Sequence, residues 1–154
     1  DETIFKGSNF ILVPTQKNKK ETIEAVKDLA TKMEFGRICT LSIEEHDKMI
    51  GFLSQLTHVI AVSLMNTHDN AHLVEYTGDS FRDLTRIAKI NEDLWTELFI
   101  MNKDILLDEI NQFIDSISHF RDSLEQEDTQ EMKRLFIQST KRRDKFNKTD
   151  AKKR

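Results

Sequence analysis

Apolar positions recur along most of this chain at helical spacing. Between residues 18 and 35, Ile23, Val26, Leu29, Ala30 and Met33 fall on one face, and Gly36 stands where a left-handed residue would end the helix. Ahead of that helix, Phe10-Ile-Leu-Val13 is a short apolar run stopped by Pro14 and reads as a strand. Residues 37–42 alternate and are rich in β-branched side chains, and Ser42 with Glu45 three positions on makes a capping box. The second helix is therefore expected from about residue 43 to near 65. Ser80 after Gly78 reads as the N-cap of a third, shorter helix carrying Phe81, Leu84, Ile87 and Ala88.

The fourth helix is expected to be the longest, starting near Asn91. It shows Phe99, Leu106, Phe113 and Phe120 at seven-residue intervals, with Ile110, Ile117 and Leu124 on the alternate seam positions and Lys103 as the exception. A last helix follows Asp128, with Glu131 in the capping-box position, through Met132, Leu135 and Phe136 toward Phe146. The fold class is mainly α, a helical bundle with a short β lead-in. The seam packs either on its own chain or across a two-fold axis against a second copy.

A domain that opens on one isolated strand leaves backbone unpaired. Residues 1–15 are thus expected to be the remnant of an upstream sheet domain, residues 16–140 the helical domain, and residues 141–154 a basic tail or linker. At 154 residues the chain is long enough for one domain with a core and too short for a dinucleotide-binding domain plus a substrate domain. Four Gly and one Pro are few chain-breakers, in keeping with long helices. The single cysteine, Cys39, has no internal disulfide partner, and no charged n-region leads into an apolar stretch, so the cytoplasm is the expected compartment. No window reads as an apolar run of roughly 20 residues, so no membrane role is expected. The formal charge is −4, yet residues 141–154 hold eight Lys/Arg against two Asp, which leaves the remaining body strongly acidic and argues against nucleic acid as a partner.

Four of the five histidines fall between His46 and His72. His68 and His72 at i, i+4 with Asp69 between would suit a metal on one helix face, and with His46-Asp47 would make a metal-dependent hydrolase, but the further ligands such a centre needs are missing. His58 lies in an apolar run four residues after Ser54, so both side chains are expected on one helix face within reach of a common ligand. In Gly78-Asp-Ser-Phe-Arg-Asp-Leu-Thr-Arg86, Arg82 and Arg86 are one turn apart, an arrangement suited to a carboxylate that takes a forked guanidinium. Asp83 is placed to hold Arg86 by an i, i+3 pair.

The ordered blocks His46-Asp47-Lys-Met-Ile-Gly-Phe-Leu-Ser54-Gln-Leu-Thr-His58, Phe81-Arg-Asp-Leu-Thr-Arg-Ile-Ala88, Leu94-Trp95 and Asn102-Lys103 resemble the signatures of prephenate dehydrogenases. Phe10-Ile-Leu-Val-Pro-Thr15 is similar to the last strand of that family's nucleotide domain. The resemblance implies the family's helical C-terminal dimerisation fold, like the C-terminal part of 6-phosphogluconate dehydrogenase. It also implies oxidative decarboxylation of prephenate to 4-hydroxyphenylpyruvate by NAD or NADP, on the way to tyrosine. By the same resemblance Arg86 binds a substrate carboxylate, Ser54 and His58 lie beside it, and Asp83, Trp95 and His46 border the pocket, with Trp95 reaching in from the other subunit of a homodimer. Tyrosine is the feedback inhibitor that the family suggests.

Two departures stand out. The family commonly has His-Leu-Pro where this chain has Gln55-Leu-Thr57, and Thr57 is expected merely to relax a helix kink. No Gly-x-Gly-x-x-Gly occurs, and the family's hydroxyl-activating histidine belongs to the nucleotide domain, so the chain alone is not expected to turn over. The competing reading is a helical homodimerisation module with no small-molecule site.

Overall fold

In the computed structural model, residues 3–68 and 71–147 are described. The chain forms two compact units, Asp1–Glu109 and Ile110–Arg154. The first begins with strand β1 (Asn9–Leu12), helix α1 (Lys20–Lys32) and strand β2 (Arg37–Thr40). β1 and β2 pair in parallel from Asn9↔Arg37 to Leu12↔Thr40, with α1 as the crossover. The leading strand is therefore neither isolated nor the last of its sheet. The left-handed residue behind α1 is Glu34, with φ of 60°, and not Gly36. Gly36 is needed for space: a Cβ there would lie 2.7 Å from the carbonyl oxygen of Gly7. Phe35 closes this corner with its ring 4.8 Å from that of Phe10.

Helix α2 (Ile43–Ile50) starts at the expected capping box, with Glu45 N–H donating to Ser42 Oγ and Ser42 N–H to the Glu45 carboxylate. The helix then widens into π-helical turns over Gly51–Leu56 and returns to α geometry as α3 (Thr57–Asn66). A π turn accommodates one extra residue in a helix and moves everything beyond it around the axis. Contrary to the sequence expectation, the stretch Ile43–Asn66 is long and apolar enough, by length and composition alone, to cross a membrane, with mean hydropathy 1.4. Within it Gln55 is only 4% exposed and hydrogen-bonded, while Glu44, Glu45, Lys48 and Thr57 are exposed.

A 3-10 turn (Ala71–Tyr76) leads to α4 (Asp79–Thr85), whose N-cap is Gly78. Ser80 is thus inside the helix, because the extended backbone at Gly78 starts it earlier and Asp79 fills the first turn. A second 3-10 turn, Arg86–Ala88, packs along α3. Asn91 caps α5 (Glu92–Met101) by accepting from Leu94 N–H. The expected long helix is interrupted at Asn102, which leaves helical geometry at φ −115° and ψ 28° before α6 (Lys103–Glu125).

In the second unit the remainder of α6 meets α7 (Thr129–Asn147), which Asp128 caps through the N–H groups of Gln130 and Glu131. The rings of Phe120 and Phe136 approach to 6.0 Å across this hairpin. Side chains of Ile114, Ile117, Leu124, Phe136, Ile137 and Phe146 nevertheless stay more than half exposed. Two helices have one mutual seam, too little to cover an apolar stripe that continues around each of them.

Candidate functional site

The site is built on the widened helix. His58, half-buried at the start of α3, places its Nδ1 2.8 Å from the main-chain carbonyl oxygen of Ser54. A carbonyl can only accept, so Nδ1 carries a proton, and in the neutral ring that leaves the Nε2 lone pair as the acceptor for another donor. Thr57 Oγ donates to the same carbonyl at 2.7 Å and to that of Leu53 at 3.2 Å. Thr57 therefore does more than relax a kink: its hydroxyl fills acceptors at the boundary where π geometry returns to α. Ser54 meets His58 through its backbone, an interaction that helix-face reasoning about the hydroxyl did not foresee.

Trp95 of α5 stacks on His58 with ring centroids 3.7 Å apart and planes inclined by 30°. Phe99, one turn on, meets Trp95 edge-on at 5.5 Å. Trp95 thus meets His58 within the same chain. Arg86 is exposed at the head of the 3-10 turn that packs on α3, which brings its backbone to the helix that carries His58. Among the described residues Arg86 makes no ion pair with Asp83. The helix ends at Thr85, where ψ is −3°, and the i, i+3 register that would have joined them is lost.

His46 lies on α2 with Nδ1 2.9 Å from the Asp47 carboxylate. His68 falls beyond the end of α3 and His72 in the following 3-10 turn, so they share no helix; Asp69 lies outside the described residues. Among the described residues no cluster of three His, Cys, Asp or Glu is placed to hold a metal. In the second unit, Glu131 of α7 accepts from Arg134 at 2.6 Å and meets His119 Nε2 of α6 at 2.7 Å. These partners, Arg134 foremost, pull its carboxyl down to about 2.

Residues 42–138 match the family model described as prephenate dehydrogenase, dimerization domain. The chain belongs to this family. Over 140 residues it is 34% identical to a prephenate dehydrogenase of Bacillus subtilis, covering 88% of this chain and 38% of that protein. It is 28% identical to a cyclohexadienyl dehydrogenase of Zymomonas mobilis, covering 91% of this chain and 50% of the relative. The crystal structure of Aquifex aeolicus prephenate dehydrogenase in complex with hydroxyphenyl propionate and NAD+ superposes with a TM-score of 0.79 at 29% identity, over 90% of this chain and 50% of that one. Synechocystis arogenate dehydrogenase, at 18% identity and a TM-score of 0.81 over 94% of this chain and 54% of that one, has the same fold. The chain thus spans about half or less of the length of these relatives.

Proposed function

We propose that this chain is the substrate-binding and dimerising part of an NAD(P)-dependent prephenate dehydrogenase of the cytoplasm, and that it does not turn over alone. The observation that carries this reading is the seat of His58. Its Nδ1–H is committed to a backbone carbonyl, its ring lies on Trp95, and its Nε2 is left to accept from a hydroxyl, beside the turn that begins with Arg86. In this reading Arg86 takes a substrate carboxylate, His58 orients the ring hydroxyl, and Ser54, Asp83, Trp95 and His46 border the pocket. A nicotinamide cofactor, held outside this chain, would supply the hydride acceptor for an oxidation in which the ring carboxylate is lost as carbon dioxide.

The residues present do not fit the dinucleotide itself, since the chain has no Gly-x-Gly-x-x-Gly loop. Cofactor binding is assigned to a nucleotide-binding domain upstream, with β1–α1–β2 as its remnant. We extend the proposed remnant from residue 15 to the end of β2, a reading in keeping with a family match that opens at residue 42. The exposed apolar face of the α6–α7 hairpin is assigned to a second copy of the chain, and tyrosine to the same cleft as an inhibitor.

Trp95 is the single tryptophan of the chain, so its fluorescence reports ligand entry directly. Titration with 3-(4-hydroxyphenyl)propionate is expected to change the emission. Arg86→Ala removes about 1.5–3 kcal/mol of charge-assisted bonding, which raises Kd roughly ten- to hundredfold. Unchanged affinity in Arg86→Ala would transfer the chain to the competing reading, a dimerisation module without a small-molecule site. Joined to a nucleotide-binding domain, the chain is expected to support prephenate-dependent NAD(P) reduction that it lacks by itself.

A further inference from the structure

The π turn is locked to the α5–α6 junction by two side-chain amides, Gln55 buried and Asn102 half-buried. Gln55 Nε2 donates to the carbonyl oxygen of Leu98 at 3.0 Å, and Gln55 Oε1 accepts from Asn102 Nδ2 at 2.8 Å. Asn102 Nδ2 also donates to the carbonyl oxygen of Asp47 at 3.1 Å, so both of its hydrogens are used. Each bond answers a need created by the backbone. At the end of α5 the Asn102 N–H turns to Ile100, which leaves the Leu98 carbonyl for Gln55. Leu106 N–H then bonds the Asn102 carbonyl and restarts the helix. Gly51 lets α6 come close, because a Cβ there would lie 2.9 Å from Cγ2 of Ile105.

These contacts fall in order along two antiparallel segments. Asp47, Gln55 and His58 on one side face Asn102, Leu98 and Trp95 on the other, so the amide pair and the His58–Trp95 stack are successive rungs of one interface. Hydrogen bonds fix distance and direction, which apolar packing between two helices leaves free to slide.

We propose that Gln55 and Asn102 are positioning residues, a non-ionising amide clamp that sets the π turn against α5 so that His58 sits on Trp95 with Nε2 presented to substrate. The consequence for substrate rests on the function proposed above; the seating of His58 does not. An amide offers one donor end and one acceptor end, as does a neutral imidazole, whereas an imidazolium has donors only. Gln55→His should therefore hold the clamp at high pH and release it when protonated. Among the titratable groups on the elements meeting there, His46 and Asp47 of α2, Glu97 of α5 and Lys103 and Glu109 of α6 are kept in every variant compared, and His58 of α3 in all but His58→Gln.

The test is the Trp95 emission of the chain as a function of pH, without substrate. A protonated imidazole stacked on indole quenches it, so the unaltered chain should show a quenching step on acidification that His58→Gln abolishes. Gln55→Leu and Asn102→Leu, with helical circular dichroism unchanged, should lose that step. Gln55→His should match the unaltered chain at about pH 8 and the leucine variant at about pH 5, either side of the ordinary imidazole value of roughly 6.5. If the leucine variants do not fold, the two ends of the Gln55→His titration decide. A full step in Gln55→Leu, or a Gln55→His chain indistinguishable from the unaltered one at both ends, overturns the clamp. Either result leaves the Arg86 binding test untouched.

Discussion

Replacing Phe136 by aspartate should separate the proposed dimer without unfolding either unit. Phe136 is 56% exposed on α7, beside a groove of about 590 Å³ lined by Ile117, Phe120, Leu135, Phe136 and Phe146. A phenylalanine carries on the order of 200 Å² of surface, so covering the exposed fraction removes about 110 Å² from water, worth about 3 kcal/mol at about 25 cal/mol per Å². A two-fold interface uses the residue twice, and about 5–6 kcal/mol corresponds to a dissociation constant raised by three to four orders of magnitude. Within the hairpin the substitution costs only the contact with Phe120, about 1 kcal/mol. Sedimentation velocity across a concentration series reads the dimer, and thermal melting checks the fold. An exposed polar control on the first unit, Glu92→Ala, should leave both unchanged. A dissociation constant within threefold of the unaltered chain's would show that this face is not where copies meet, and the seam would revert to intramolecular packing.

Two further perturbations test how the helices are held. The Glu131 carboxyl is depressed to about 2 from an ordinary 4.5, so its pairing with Arg134 and His119 stabilises the hairpin above the ordinary value and is lost as pH falls from about 4.5 toward 2; in Glu131→Gln the acid melting curve of the hairpin should lose that component, and an identical acid profile would refute the linkage. Gly51→Ala forces a Cβ against Ile105 Cγ2 and should destabilise the first unit by about 1–3 kcal/mol, visible as a lowered melting temperature, with partial recovery in the Gly51→Ala/Ile105→Leu double variant because leucine has no Cγ2. Additive losses in the double variant would show that the contact is not the cause.

Local rules were enough wherever the chain obeys them. Ser42, Asn91 and Asp128 cap helices as their side chains dictate, and the 3.6-residue spacing of Ile23, Val26 and Ala30 places α1. The departures fall where a distant partner overrides the local pattern. Glu34, not Gly36, takes the left-handed turn, because Gly36 is reserved for contact with Gly7. Asn102 breaks the helix beside Lys103, the one polar position of the seam, yet periodicity records only which residues are apolar and says nothing of where a backbone bond is diverted.

The same limit explains the candidate site. His58, Trp95 and Arg86 were singled out by residue type and order, while the reason that His58 and Trp95 meet was invisible. That reason is a π turn, which has no strong sequence signature, and a pair of amides separated by 47 positions. Gln55 in particular looked like the loss of a histidine. Its burial and its two bonds show a side chain chosen for what an imidazole also has, a donor and an acceptor at opposite ends, without the proton that would turn the acceptor into a second donor. A position judged by its chemistry toward substrate can thus be misread when its chemistry is directed at the backbone, because both uses call for the same atoms.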